Sequence, residues 1–380
     1  MLTSPPLSLY VHLPWCVRKC PYCDFNSYEF RGALPAAAYV DALLRDLDTE
    51  TPVVGPRRLQ SIFIGGGTPS LFSGTEIGRL LEGISARVPI ESLAEITLEA
   101  NPGAVEAERF SAYREAGVNR LSIGVQSFRP DKLKALGRVH DDLEAARAIA
   151  VARNAGFVNI NVDLMYGLPG DDETGAIGDL ERAIELGPTH LSWYQLTLEP
   201  NTAFHRDPPT LPDDDCIVAL EARGRSLLEH HGYGRYEVSA YAQSGFRCVH
   251  NLNYWQFGDY IGIGAGAHGK VSDTGNNVIE RRWKQRNPRT YMARAGTAAA
   301  VTVDRIVAEH ELVLEFMMNA LRLPEGTSVA RFEERTGRPR ATVERPLHEA
   351  ASRGWVSIDH DVFRPTAAGM QMLNAMLALF

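Results

Sequence analysis

From residue 8 to about residue 200, short β-rich runs alternate with stretches of helical periodicity. That alternation admits few folds, because it is the signature of βα units wound around a parallel sheet. Six units are legible. The strand candidates are Ser8 to Leu13, Ser61 to Ile64, Glu95 to Leu98, Arg120 to Val125, Asn159 to Leu164 and His190 to Leu196. Between them Ala36 to Asp48, Glu76 to Arg87 and Asp142 to Asn154 repeat apolar residues at helical spacing, and a sixth helix is expected over about Asp213 to His231. The pattern predicts an α/β fold, a partial (β/α)6 TIM-like barrel over residues 1–232.

The chemically distinctive residues fall where each strand stops: three cysteines after the first, GGGTPS after the second, EANP after the third, VQSF after the fourth and DLMYGLP after the fifth. In parallel α/β folds the carboxyl ends of the strands form the binding face, so one face collects them all. Residues 233–304 form an aromatic and glycine-rich extension, too irregular for another βα unit, in which the basic linker segment RRWKQRNP marks a change of composition. Residues 305–380 read as three helices and a short hairpin, GWVSIDHDVFRPT, a small winged-helix-like domain.

Cys16, Cys20 and Cys23 crowd into eight positions of a chain with five cysteines, which in a reducing compartment reads as metal binding rather than a disulfide frame. Three soft thiolates on one loop suit an iron–sulfur cluster and leave one iron open. A zinc site is the alternative; it would want a fourth cysteine or histidine nearby, and Asp24 and Phe25 follow directly. Gly65-Gly66-Gly67-Thr68-Pro69 removes every Cβ from the turn and lets backbone approach a ligand. Glu99, Gln126, Arg138 and Asp163 offer polar groups at later strand ends or loops, where a solvated or salt-bridged residue is the more usual case for each alone.

The cysteine spacing, with an aromatic residue before the last thiol, resembles the radical S-adenosylmethionine superfamily. That resemblance implies a 4Fe-4S cluster held by Cys16, Cys20 and Cys23, with S-adenosylmethionine chelating the fourth iron and open to reductive cleavage to a 5′-deoxyadenosyl radical. LSLYVHLPWC, IFIGGGTPS, LEANP, RLSIGVQSF, INVDLMYGLPG and GIGAGAHG resemble, over almost the whole chain, the branch that contains the oxygen-independent coproporphyrinogen III oxidases. By that likeness Tyr10, Gly66 and Glu99 match contacts to the cluster-bound S-adenosylmethionine. Tyr22, Gly67, Thr68, Gln126, Arg138 and Asp163 match positions that hold a second molecule in the oxidase. Two departures stand out. The oxidase carries a further cysteine two positions after the third, where this chain has Phe25, and it has a long N-terminal extension, whereas here the first strand begins within about ten residues.

His250-Asn251-Leu252-Asn253-Tyr254-Trp255 fits the HNxxYW motif of the HemW haem chaperones, relatives of the oxidase that keep the cluster, and CPYCDFNSY is similar to that branch too. The resemblance implies haem as a further cofactor, with His250 as an axial ligand and Tyr254 and Trp255 as flat apolar surface for the porphyrin. On the residues alone, a lone histidine beside aromatics is more often a hydrogen-bonded core residue. Cys248 could serve as a thiolate ligand or attachment point, although no CxxCH is present. His12 and His268 stay unassigned, and Cys216 reads as a plain thiol.

Charged residues make up 23% of the chain and its formal net charge is -8, with no polybasic block. Residues 305–380 hold nine arginines and no lysines against ten acidic residues, so the winged-helix-like domain has no basic stripe for phosphates. No nucleic-acid partner is expected. Neither a secretory signal nor an apolar run of membrane-spanning length is visible, so the protein is expected to be cytoplasmic, without a membrane anchor of its own and open to recruitment to the inner membrane by haem-requiring partners.

Three readings stand. The first is a haem chaperone without net turnover that passes haem to acceptor haemoproteins. The second is a radical enzyme acting on coproporphyrinogen III or another tetrapyrrole, and the third an adaptor with a structural cluster.

Overall fold

In the computed structural model, which describes residues 1–103 and 109–380, the six expected strands are all present. They are β1 (Leu7–Leu13), β2 (Leu59–Gly66), β3 (Ile90–Ala100), β4 (Arg120–Gln126), β5 (Asn159–Tyr166) and β6 (His190–Gln195), paired in that order and all parallel. The fold is the expected mixed α/β partial barrel. Helices α1 (Ala36–Val54), α2 (Gly74–Ser85), α3 (Asp142–Asn154), α4 (Glu173–Leu186) and α5 (Asp214–His230) lie between or after the strands. Their starts are written locally: Ser73 and Glu76 close a reciprocal capping box on α2, and Asp141 and Glu144 another on α3.

Strand alternation explains the two faces of the sheet. Leu9, Val11, Ile62, Ile64, Leu98, Leu121, Ile123, Val162 and Leu191 are fully buried in the main core with the helices. The intervening residues are polar: Ser8, Ser61, Glu95, Thr97, Arg120, Ser122, Asn161 and His190 are also buried, and several bond across neighbouring strands, Ser8 to Ser61, Asn161 to Ser122 and His190 to Asn161. The face of the sheet turned away from those helices is therefore polar, with its side chains drawn into hydrogen bonds.

The extension departs from expectation in one respect. It contributes a seventh parallel strand, β7 (Asp259–Ile263), beside β1, so this stretch extends the parallel sheet itself. The strand is short and interrupted by Gly262, whose added Cβ would meet the carbonyl oxygen of His268, and such a segment carries little periodic signal. Antiparallel strands β8 (His268–Asp273), β9 (Val278–Lys284) and β10 (Val301–Ile306) continue from it. At the opposite edge Ala240–Ala242 pairs with β6, so the extension flanks the barrel on both sides. Buried ions fasten it: Lys284 lies 2.6 Å from both Asp46 and Glu50 of α1.

The C-terminal unit has the three expected helices, Glu309–Ala320, Val329–Thr336 and Ala341–Ser352, and a hairpin of Val356–Asp359 with Val362–Pro365, and beyond expectation two short helices, Ala367–Gln371 and Leu373–Leu377, follow the hairpin. Its own core includes Phe316, Met317, Phe332, Val343, Leu347 and Phe363. Among the described residues no helix is long and apolar enough to cross a membrane.

Candidate cofactor site

The loop after β1 carries the cysteines and is held at both ends by backbone bonds. Tyr28 donates to the carbonyl of Pro14 at 2.7 Å, and Thr68 of the glycine turn donates to that of Trp15 at 2.7 Å. The turn has room for no side chain. Gly66 has φ +117°, and a Cβ there would meet the ring of His12 at 2.5 Å; at Gly67 a Cβ would meet the carbonyl oxygen of Trp15 at 2.5 Å. Glycine therefore lets strand β2 end directly against the cysteine loop.

All three cysteines are free thiols and line one cavity of about 360 Å³, together with Tyr22, Gly66, Gly67, Thr68, Glu99, Gln126, Arg138 and Asp163. Burial pushes the Cys16 and Cys23 thiols up in pKa. The cysteines fit a cluster better than a single ion. Among the described residues no three His, Cys, Asp or Glu side chains gather around one point, whereas an iron–sulfur cubane takes each thiolate at a separate iron.

Arg138 supplies positive charge beside them. Its Nη1 is 3.8 Å from the Cys20 sulfur, and Nη2 donates to Asn101 Oδ1 at 2.7 Å and to the Gly124 carbonyl at 2.6 Å. It pairs with no carboxylate among the described residues, and its Nε is buried without a partner. Across the cavity stand two carboxylates. Asp163 accepts from Ser122 at 3.1 Å and from Asn161 at 2.8 Å. Glu99 accepts from the amide of Gly66 at 3.0 Å, and burial, with Asp163 adding to it, pushes its pKa up to about 7. Gln126, at the end of β4, has φ +71° and accepts from the Tyr194 hydroxyl at 2.7 Å. A non-glycine residue in the left-handed region at a strand end is strain kept at a functional wall. Unpaired guanidinium on one side and carboxylates on the other suit a zwitterionic ligand that also carries a cationic centre.

Tyr10 lies elsewhere. It lines a second cavity of about 680 Å³ that shares Asp24, Phe25, Gly66 and Glu99 with the first. Phe25, 58% exposed, sits where both cavities meet.

The HNLNYW segment is a short helix, α6 (Val249–Trp255), seated under the sheet. Glu95 holds its start, accepting from the amides of Val249 at 3.0 Å and His250 at 3.1 Å and from the Cys248 thiol at 3.3 Å. His250 is 1% exposed. Its Nδ1 is 3.0 Å from the Ser61 hydroxyl and its Nε2 3.0 Å from that of Tyr254, so neither nitrogen faces a cavity. Burial, with Arg120 adding to it, lowers its pKa to about 3. Tyr254 lines the second cavity. Trp255 lines neither; the Arg322 guanidinium of the C-terminal unit stacks 4.2 Å from its ring. Cys248 is fully buried and pushed up to about 12 by burial, a neutral thiol in the core. Cys216 is half-buried at the start of α5.

Several wall residues escape a reading by motif. Asn101, Ser122, Met165 and Tyr194 join the first cavity through strand register; Tyr260, Trp283 and Arg286 join the second through the extension. Asn101 and Met165 had a positional signal, since they lie in the strand-end strings EANP and DLMYGLP.

Residues 10–183 match the radical SAM superfamily and residues 307–372 the HemN C-terminal domain. The chain is 50% identical to the haem chaperone HemW of Escherichia coli K12, over 100% of this chain and 99% of that protein. It is 46% identical to the haem chaperone HemW of Haemophilus influenzae, over 99% and 98% of the two chains. To mouse radical S-adenosyl methionine domain-containing protein 1, a mitochondrial protein, it is 34% identical over 98% and 87%. Among solved structures, the E. coli coproporphyrinogen III oxidase HemN superposes with a TM-score of 0.83 at 23% identity, covering 99% of this chain and 90% of that one, a likeness of fold.

Proposed function

Because the chain belongs to the HemW family within the radical SAM superfamily, we propose that it is a haem chaperone, binding haem and passing it to acceptor haemoproteins. Cys16, Cys20 and Cys23 hold a 4Fe-4S cluster in the first cavity, and S-adenosylmethionine completes it. When bound, this pair supplies reducible iron and a sulfonium open to reductive cleavage. The single observation that carries the cofactor assignment is the convergence of three free thiols, an unpaired Arg138 and the Glu99 and Asp163 carboxylates on one cavity.

Each side chain then has a task. Gly66, Gly67 and Thr68 bring backbone against the methionine end of the ligand. Arg138 attracts its carboxylate, while Glu99 and Asp163 attract its cationic groups or accept from ribose hydroxyls. Tyr22 and Gln126 close the wall, and Tyr10 meets the ligand across Glu99. For haem, Tyr254 supplies aromatic surface, His250 orients the Tyr254 hydroxyl from behind, and Trp255 couples the motif to the C-terminal unit. The protein works in the cytoplasm and reaches membrane-bound acceptors through those partners.

A radical tetrapyrrole enzyme is the second reading, favoured by the presence of Gln126, Arg138 and Asp163 around one cavity. Phe25 at the junction of the cavities, where the oxidase pattern has cysteine, weighs against it. Anaerobic titration of cluster-reconstituted protein with haem, followed by mixing with an apo-haemoprotein, tests the first reading. Binding and transfer are expected. Absence of haem binding, or conversion of coproporphyrinogen with S-adenosylmethionine and reductant, overturns it.

A further inference from the structure

The second cavity is larger than the first and has its own chemistry. Five aromatic side chains, Tyr10, Phe25, Tyr254, Tyr260 and Trp283, line it, and its volume of about 680 Å³ lies within the range of ligand sites of roughly 300–1,000 Å³. Trp283 is 37% exposed, an indole presented to an open space rather than packed away.

Three imidazoles lie in or behind this space, and two are already engaged. His12 has Nδ1 2.9 Å from the Tyr10 hydroxyl and Nε2 3.0 Å from the carbonyl of Asn26. His250 is bonded at both nitrogens to Ser61 and Tyr254. His268 differs. It opens β8 directly opposite Trp283 in the ladder, its ring stacks on that indole with centroids 5.3 Å apart and planes at 26°, it is exposed, and neither ring nitrogen has a hydrogen-bond partner among the described residues. Partial desolvation of the ring, with the charges of Arg281 and Arg286 adding to it, lowers its pKa.

The cations around the space are similarly sorted. Lys284 is tied to Asp46 and Glu50, and Arg281 to Glu315, whereas Arg286 is exposed on the cavity wall with no carboxylate partner among the described residues. The acidic groups on the wall, Asp24 and Glu99, both belong to the side shared with the first cavity. Charge is thus asymmetric, negative toward the cofactor and positive toward β9.

We propose that the second cavity is the porphyrin seat, with His268 as the axial ligand to haem iron and Arg286 pairing with a propionate. The inference rests on the haem-chaperone reading and moves the iron contact from the HNLNYW helix, which supplies the Tyr254 wall, to the glycine-rich GAHG turn. A macrocycle held there would touch Gly66 and Glu99, so haem and the cofactor of the first cavity would share a wall.

The test uses full-length, cluster-reconstituted protein under anaerobic conditions, titrated with ferric haem and separately with metal-free protoporphyrin. In His268→Ala, haem affinity is expected to fall about tenfold or more with a shifted Soret band, while metal-free protoporphyrin binds nearly as in the wild type. Arg286→Glu should weaken both ligands. In His268→Gly, added imidazole should restore the wild-type haem spectrum, an effect that a merely structural histidine would not show. Wild type that binds haem alongside a His268→Ala variant with unchanged affinity and spectrum overturns the seat and leaves the chaperone reading standing. Wild type that binds no haem overturns the chaperone reading itself. Cluster absorbance and circular dichroism confirm that each variant is folded.

Discussion

The amide of Gly66 donates to Oε2 of Glu99 at 3.0 Å, joining the glycine turn to the carboxylate on the wall between the two cavities. The bond favours the ionised acid, but burial and the neighbouring Asp163 outweigh it and raise the pKa from 4.5 to about 7. A raised carboxylate binds its proton more tightly folded than unfolded, so its contribution to stability is complete below pH 4.5 and is lost as pH rises through about 7. A cationic ligand selects the ionised form. Affinity for S-adenosylmethionine should therefore rise with pH through about 7 and then level off. Glu99→Gln should weaken binding about tenfold and flatten the profile. Anaerobic calorimetry from about pH 6 to 8.5 reads both, and a slope that survives in the variant would sink the assignment.

Gly67 and Gly78 make a matched pair. A Cβ at Gly67 meets the carbonyl of Trp15, backbone that cannot yield, whereas at Gly78 in α2 the nearest atom is the Ala116 Cβ at 3.7 Å, an ordinary contact. Gly67→Ala should displace the cysteine loop, reduce iron retained after reconstitution and cost about 1–3 kcal/mol. Gly78→Ala should be neutral or stabilising by roughly 0.5–1 kcal/mol through helix propensity. Iron content and denaturant unfolding decide; equal iron in the two variants would mean that the turn does not support the loop.

The barrel was readable because parallel strands buried on their helix-facing side write apolar residues at every second position, and the polar residues between them mark the lumen. Helix α3 was read to its residue limits, since a capping residue and a clean apolar stripe define it. β7 was not, because five residues broken by glycine, as in DYIGI, leave no period to detect. The cysteines were legible by crowding alone. Tyr194 and Trp283 were not, since what places them in a wall is register, Tyr194 against Met165 and Trp283 against His268. At His250 the residue-level expectation of a hydrogen-bonded core histidine describes its surroundings, and the haem contact implied by likeness rests on Tyr254 in front of it.

That placement makes His250 testable without haem. Its ring is sandwiched between the Ser61 and Tyr254 hydroxyls and stacks near Phe63 with centroids 5.1 Å apart. His250→Ala opens a cavity and strands the Tyr254 hydroxyl, while Ser61 keeps its bond to Ser8, so the cluster-free protein should lose about 2–4 kcal/mol in urea unfolding. The pKa near 3 fixes the sign of the pH effect. A depressed histidine stabilises above its unfolded value of 6.5, and that stability is lost as pH falls toward about 3. Wild type should weaken on acidification across this range more steeply than His250→Gln. Equal stability of wild type and His250→Ala would show that the ring has no part in the core.

Trp255 offers the corresponding test at the domain boundary. The Arg322 guanidinium lies 4.2 Å from its ring while an Nη of the same group reaches Glu237 at 3.2 Å, so one side chain links the C-terminal unit to both the motif helix and the extension. A partly buried guanidinium on an indole contributes about 1 kcal/mol. The Glu237 pair adds direction, since it holds the guanidinium plane over the ring. Arg322→Ala and Trp255→Leu should each destabilise the protein, and their double mutant should lose less than the sum by about 1 kcal/mol. Hydrogen exchange in Arg322→Ala should quicken along Val249–Trp255 as well as at the start of the C-terminal unit, because Trp255 closes the same helix that Glu95 opens. Strict additivity in the cycle, with exchange unchanged in the motif helix, would show that the C-terminal unit does not brace the wall that Tyr254 presents.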